Sequence, residues 1–302
     1  MRFVLIAALV LAPSALAQTC DKTFVGVGLP DFWNVASNWS PSGVPSASDR
    51  VCIPSGTHCI VDVAATVESV EIELYGKLEI PIFITMTLTN ASAEDSLIDG
   101  EFVVGDTLLI ADDDHTFEGG GRVELVSSSS ELQIDSGLTL TSQLDEDGIV
   151  GRGAIVGIES METTGTFHNQ GEVRADGGSI GGGATLELAS TTILADDSTA
   201  QWRAADEAVL KFSRDASLDG HIELRDGSCA KVLIAADLTT CGAFRWSDAS
   251  ILEVESGATF EYASYQSLSN TCSNPKDSGT GGCSTGIFTI AGPATKTCGD
   301  CS

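Results

Sequence analysis

Acidic residues at turns are the side chains of this chain best suited to chemistry. Asp112, Asp113 and Asp114 stand together before His115, and Glu118 follows closely. Carboxylate oxygens are the ligands that Ca²⁺ prefers, about six to eight for each ion. We therefore identify Asp112, Asp113 and Asp114 as a candidate calcium site; apart from this candidate, no cofactor is expected. The alternative is that they are solvated turn residues, because they match neither the 12-residue calcium loop nor the nonapeptide calcium repeat.

Polysaccharide cleavage is the second chemistry that carboxylates could perform. A hydrolase needs two carboxyl groups facing each other across a sugar, with one kept protonated. Acidic pairs are so numerous here that none is singled out, and the catalytic residues stay unassigned. No phosphate-binding glycine loop occurs in the sequence, and the four histidines have no recognisable catalytic-triad context. A non-catalytic protein is therefore the favoured interpretation, with a glycan-active hydrolase or lyase as the alternative.

The charge of the chain restricts its partners. Forty-three acidic residues face 15 lysines and arginines, which gives a formal net charge of −28 at pH 7. Such a chain is repelled by phosphates and by anionic lipid headgroups. We therefore expect neither nucleic-acid binding nor membrane insertion. A glycan or a cell-surface protein is the expected class of partner. The sequence does not indicate an oligomeric state.

The first residues have the pattern of a secretory signal peptide. Arg2 precedes an apolar run from Phe3 to Leu11, and Ala15-Leu16-Ala17 is a typical cleavage site. We expect residues 1–17 to be removed and the chain to be secreted or held at the cell surface. All nine cysteines follow this segment, so disulfides are expected. Proximity in sequence suggests Cys52–Cys59, Cys229–Cys241, Cys272–Cys283 and Cys298–Cys301, with Cys20 left over; the connectivity stays open.

A recurring glycine phrase indicates the elements that position these side chains. Glycine, a polar residue and an apolar residue recur at Gly76, Gly100, Gly121, Gly171 and Gly220, at separations of 24, 21, 50 and 49 residues. A unit of about 20–25 residues that contains a turn and a short strand is typical of a solenoid. Residues 84–89 alternate strictly between apolar and polar types, as in a strand with one buried face. The prediction is an all-β, single-stranded, parallel right-handed β-helix of about eight or nine turns; an antiparallel β-sandwich is the alternative.

The chain divides into four predicted parts. Residues 1–17 are the signal peptide, 18–60 an N-terminal cap with two tryptophans, 61–262 the solenoid, and 263–302 a cysteine-rich C-terminal segment. A second phrase, an apolar residue followed by alanine and one or two aspartates, occurs at residues 110–113, 194–197 and 234–237. If these turns stack, several carboxylates meet on one side of the solenoid.

Two stretches resemble known extracellular proteins. Residues 39–45, Asp49, Val51, 53–56 and 61–63 resemble the opening of the G8 type of extracellular β domain, and also the start of passenger β-helices in secreted bacterial surface proteins. Residues 165–178 are similar to a repeat of filamentous-haemagglutinin-like and autotransporter-like adhesins. Together with the export signal, the repeat, the negative charge and the lack of a catalytic constellation, the resemblance favours a secreted or surface-associated structural or adhesin-like protein that presents an acidic β surface. A calcium-stabilised extracellular matrix module is a further alternative.

Overall fold

The computed structural model describes residues 19–26, 31–90, 95–145, 148–160, 163–176, 184–224, 229–246, 250–267, 288–291 and 294–298. Strands make up more than half of these residues. Within the described ranges the only helical element is a single 3-10 turn, Ala36–Asn38. The all-β prediction is therefore confirmed. The expected signal peptide and Cys272, Cys283 and Cys301 lie outside the described residues.

The strands form a parallel β-solenoid of about eight turns. Each turn contributes a strand to each of three faces, and the strand pairs in parallel with its equivalents in the turns before and after. Parallel ladders of this kind are incompatible with an antiparallel β-sandwich, so the β-helix prediction is confirmed.

The strands are grouped by the face on which they lie. The first face contains β3 (Arg50–Ile53), β6 (Ser69–Ile72), β9 (Ser96–Ile98), β12 (His115–Glu118), β14 (Thr139–Ser142), β16 (Thr166–Asn169), β19 (Ile193–Asp196) and β22 (Ala216–Leu218). The second face contains β4 (His58–Ile60), β7 (Lys77–Ile80), β10 (Glu101–Val104), β17 (Glu172–Asp176), β20 (Gln201–Ala205) and β23 (His221–Leu224). The third face contains β5 (Ala65–Val67), β8 (Thr85–Leu88), β11 (Thr107–Ile110), β18 (Thr185–Leu188), β21 (Val209–Phe212), β24 (Ala230–Ile234) and β26 (Ser250–Val254). Four longer strands bend around a corner: β13 (Arg122–Ile134) and β15 (Ile149–Gly157) from the second face to the third, and β25 (Leu238–Trp246) and β27 (Thr259–Ser267) from the first to the second.

The core is the interior of the solenoid. Alternate residues of each strand point inward, as in β7, where Leu78 and Ile80 are buried and Lys77 and Glu79 are half-buried. Inward side chains of successive turns stack on one another, and the stack includes Trp202, which lies edge-on between Phe167 and Phe212 with ring centroids 6.1 and 5.8 Å apart. The core is therefore continuous along the axis, as stacking solenoids require.

The glycine phrase marks the corner between the first and second faces. Gly76, Gly100 and Gly121 immediately precede β7, β10 and β13, which are neighbours on the second face. A Cβ atom on Gly121 would overlap the carbonyl oxygen of Gly100, and one on Gly100 would overlap that of Gly76. Only glycine lets successive corners approach so closely, so the repeat predicted from sequence follows from steric exclusion.

Both ends of the stack differ from its middle. At the N-terminal end, β1 (Lys22–Phe24) pairs with β3 and with β2 (Trp39–Ser40), and the rings of Trp33 and Trp39 lie edge-on, 4.8 Å apart. Parallel pairing thus begins between β1 and β3, inside the segment expected to form the cap. At the other end, β28 (Phe288–Ala291) and β29 (Ala294–Cys298) run antiparallel to β27 and β26. These strands interrupt the parallel stack.

The predicted cysteine pairs need correction. Cys52 forms a disulfide with Cys20, with Cα atoms 5.8 Å apart, and Cys59 has a free, buried thiol. The Cys52–Cys59 pair is wrong because Cys52 lies on the outer side of β3, whereas Cys59 points into the core from β4. The Cys229–Cys241 pair is also wrong, since Cys229 has a free thiol and Cys241 is disulfide-bonded. Burial raises the pKa of the Cys59 thiol.

Candidate functional site

An open groove follows the corner between the first and second faces across the first four turns. Its lining comes from residues 56–58, 74–77, 99–101 and 120–122, and its volume is about 520 Å³. Ligand pockets commonly have volumes of about 300–1,000 Å³, so the groove is large enough for a small ligand. Four successive turns about 4.8 Å apart give it a length of roughly 14 Å along the solenoid axis. Its floor is formed by backbone, because glycines occupy the corner.

One wall of the groove is an apolar pair at the corner of the second turn. Leu74 is 56% exposed and Tyr75 is 77% exposed, although both are large apolar side chains. Tyr75 also has a φ of 65°, a left-handed conformation that bulky residues rarely adopt. In the next turn the residue before the glycine is Asp99. Backbone strain and exposure of an aromatic side chain at one position are a reason to suspect a function there.

Charged side chains of the second face form the other wall. His58 Nε2 and Lys77 Nζ lie 3.0 and 2.9 Å from the same atom, Glu79 Oε2. Burial alone would raise the pKa of Glu79, but the hydrogen bonds from Lys77 and His58 bring it below its usual value. Glu79 is therefore ionised at neutral pH and is not a proton donor for catalysis.

A second ion pair lies farther along the same wall. Arg122 Nη2 lies 2.9 Å from Glu101 Oε1 and 3.2 Å from Glu124 Oε2. Asp99 Oδ1 accepts the backbone N–H of Gly120 at 3.0 Å. Among the lining residues, Lys77 and Arg122 thus balance Asp99 and Glu101. These four lining residues carry no net charge, and Glu79 and Glu124 beside them add two negative charges.

A smaller cavity of about 410 Å³ lies at the corner between the second and third faces. Glu131, Arg152 and Glu187 line it together with small residues. Glu187 accepts hydrogen bonds from Lys211 Nζ at 2.9 Å and Ser213 Oγ at 2.6 Å. Burial acts to raise the pKa of Glu187, yet these two donors lower it overall. A carboxyl group held ionised in this way does not fit the protonated acid that glycoside hydrolysis requires.

A ladder of ion pairs links β17, β20, β23 and β25 on the second face. Arg203 contacts Glu172 through Nη1 and Glu223 through Nε, the latter at 2.9 Å. Arg174 lies 3.4 Å from Glu172, and Arg245 lies 4.0 Å from Glu223. Burial raises the pKa of Glu172 even though Arg203 and Arg174 oppose the rise. Glu172 and Glu223 both form ion pairs with arginines of neighbouring turns. These ion pairs stabilise the stacking of the turns.

The candidate calcium residues lie on the corner between the third and first faces, and all three are exposed. Asp113 Oδ1 accepts the N–H of Asp114 at 2.8 Å, and Asp114 Oδ1 accepts the N–H of Thr139 at 2.7 Å. Among the described residues, the one group of three acidic, histidine or cysteine ligand atoms within 4.8 Å of one another consists of Cys20, Cys52 and Glu71. Two of these are in the disulfide. Calcium binding by Asp112–Asp114 stays a prediction.

Corner carboxylates form a structural pattern that sequence reasoning missed. Asp215 Oδ1 accepts the N–H of Asp237 at 2.9 Å, and Asp237 Oδ1 accepts the N–H of Thr259 at 2.9 Å. Asp114 bonds Thr139 in the same way, so a carboxylate of one turn caps the start of the next. The alanine–aspartate phrase does not stack as expected, because residues 110–113 and 234–237 follow third-face strands whereas 194–197 overlap the first-face strand β19.

Comparison with known families places the groove inside a matched region. Residues 38–160, less than half of the 302, match the family model of the G8 domain, which is found in extracellular proteins. The resemblance of the N-terminal segment to this domain is confirmed, and the match extends well beyond it. No curated protein and no solved structure gives a significant match. In the described part of the chain, no helix is long and apolar enough to cross a membrane.

Proposed function

We propose that this chain is a secreted or cell-surface-associated, adhesin-like structural protein that binds its ligand in the groove of the first four turns. The observation that carries the proposal is Tyr75, an aromatic side chain 77% exposed at a strained corner beside a floor of stacked glycines. A rigid, amphipathic aromatic side chain is a common anchor in binding sites. The solenoid holds it on a stiff scaffold.

Two further observations support binding without catalysis. Glu101 in the groove and Glu79 beside it are paired with basic side chains, and Asp99 accepts a backbone N–H. Residues 38–160 match a domain of extracellular proteins, which supports an extracellular location. The resemblance to filamentous-haemagglutinin-like and autotransporter-like adhesins points the same way, as does the signal-like N-terminus.

The proposal is tested by the retention of labelled protein on intact cells of the organism that produces it. We expect saturable retention that Tyr75→Ala weakens and Phe83→Ala leaves unchanged. Phe83 is the matched control, since it is 87% exposed, has a φ of 68° and lies at the opposite end of β7. Failure of the wild-type protein to be retained would contradict the proposal.

Two further assays on the wild-type protein distinguish the adhesin-like role from the two alternative functions. Release of new reducing ends from a panel of neutral and acidic polysaccharides would replace the adhesin-like role with that of a glycan-active enzyme. A thermal midpoint that rises with Ca²⁺ and falls with chelator would favour the calcium-stabilised matrix module, because a ligand that binds only the folded state stabilises it.

A further inference from the structure

We infer that the groove beside Tyr75 binds an uncharged glycan chain, with a pyranose ring stacked on the Tyr75 side chain and the chain running along the solenoid axis. This inference rests on the proposed function, since it names the ligand class of the same site. The geometry that points to it has three parts: the aromatic wall, the polar wall and the local charge.

The aromatic wall matches the apolar side of a sugar. Each pyranose ring has a face of C–H groups that packs on the flat face of an aromatic ring, while its hydroxyls point outward around the edge. Tyr75 offers such a face to solvent, and Leu74 extends the apolar contact beside it. The glycine floor at Gly76, Gly100 and Gly121 leaves the ring room to approach the backbone.

The polar wall matches the hydroxyl edge. Sugar hydroxyls both donate and accept hydrogen bonds, so they need donors and acceptors held side by side. The groups His58–Glu79–Lys77 and Arg122–Glu101 provide them, each ion pair orienting its members at separations of 2.9 to 3.0 Å. All five side chains are partly exposed, so they keep free positions for further hydrogen bonds.

Local charge selects an uncharged glycan over an acidic one. The lining holds two basic and two acidic side chains, and Glu79 and Glu124 beside it add negative charge, which does not repel a neutral ligand. A polyanion would have to approach a chain of net charge −28, and the cost of that repulsion grows with the length of the polymer. The roughly 14 Å length, from four turns at about 4.8 Å spacing, suits a short stretch of a linear polymer.

Native electrophoresis in gels that contain a soluble polysaccharide tests the inference, because the strong negative charge gives the protein high mobility. Separate gels contain galactomannan, arabinoxylan, mixed-linkage β-glucan or polygalacturonate. We expect at least one neutral polymer to retard the wild type and polygalacturonate not to do so. Tyr75→Ala should weaken the binding roughly tenfold or more, as loss of an aromatic anchor does. Tyr75→Phe should keep most of it, and Phe83→Ala should change it by less than about twofold.

Three results would overturn the inference: no retardation by any neutral polymer, stronger retardation by polygalacturonate, or equal loss in Tyr75→Ala and Phe83→Ala. Treating the cells of the retention assay with periodate or with protease distinguishes failure of the glycan inference from failure of the proposed function. Retention abolished by periodate, which oxidises sugar diols, supports the glycan. Retention abolished by protease but resistant to periodate overturns the glycan and leaves the adhesin-like role, whereas no retention at all overturns both.

Discussion

A buried histidine makes the stability of the solenoid depend on pH. His115 opens β12, is 1% exposed, and has its Nε2 2.8 Å from Ser96 Oγ. Ser96 Oγ also accepts the backbone N–H of Val70, at 3.0 Å. His115 Nδ1 is buried and has no hydrogen-bond partner in the described structure. Protonation would therefore leave a charged ring in the core with at least one N–H that has no acceptor.

The magnitude follows from the pKa. Burial lowers the pKa of His115 from 6.5 to about 4. Between these values the unfolded chain binds a proton that the folded chain does not, so the free energy of unfolding falls as the pH falls. The stability that the neutral ring contributes is complete above pH 6.5. At about 1.4 kcal/mol per pH unit, roughly 3 kcal/mol of it is lost by pH 4.

The assay compares His115→Gln with the wild type by urea unfolding, followed by tryptophan fluorescence, from pH 8 to pH 4. Glutamine keeps an amide donor near Ser96 but does not titrate. The wild-type free energy of unfolding should fall by about 3 kcal/mol relative to the variant between pH 7 and pH 4. The difference cancels the titration of the carboxylates, several of which also have shifted pKa values. Phe117→Leu, in the same strand, should show a pH-independent cost. A constant difference for His115→Gln, or one that grows in favour of the wild type on acidification, would refute the reasoning.

Further predictions concern the corners and the N-terminal disulfide. Gly121→Ala should lower the free energy of unfolding by about 3 kcal/mol or more, because its Cβ would overlap a backbone oxygen of the preceding turn, whereas Gly120→Ala, with open space around its Cβ, should change it by less than about 0.5 kcal/mol in the same urea titration. Asp237→Ala removes the acceptor of a backbone N–H and a hydroxyl and should cost about 1–2 kcal/mol, so an unchanged urea midpoint would contradict the capping role. The double variant Cys20→Ser/Cys52→Ser opens a loop with a sequence separation of 32 residues and should lose about 3–4 kcal/mol; reducing agent should destabilise the wild type more than this variant.

The turn repeat could be predicted from sequence because its cause is local and steric. At three successive corners a Cβ atom would overlap backbone of the turn before, so Gly76, Gly100 and Gly121 mark the period directly. Strict alternation in residues 84–89 predicted a strand with one buried face, and β8 has this pattern. These signals fix the turn length and the parallel stacking without any information about distant contacts.

The disulfides could not be predicted because proximity in sequence does not say which side of a strand a cysteine occupies. Val51 and Ile53 point into the core, so alternation places Cys52 on the outer side of β3. On β4, Cys59 points inward and is buried. The alternation of inward and outward residues along each strand thus shows that Cys52 and Cys59 face opposite sides. The choice of Cys20 as the partner depends on the pairing of β1 with β3, which is not visible in the sequence.

The corners of the solenoid contribute both to the acidity of the chain and to the position of its groove. Carboxylates such as Asp99 and Asp237 accept backbone N–H groups of the next turn, so each added turn favours another acidic residue. Part of the acidity therefore reflects the number of turns and says little about the ligand. A departure from the pattern is more informative: where the third turn has Asp99 before its glycine, the second turn has Tyr75, at a cost in strain and solvation. The ligand binding proposed for Tyr75 accounts for that exchange.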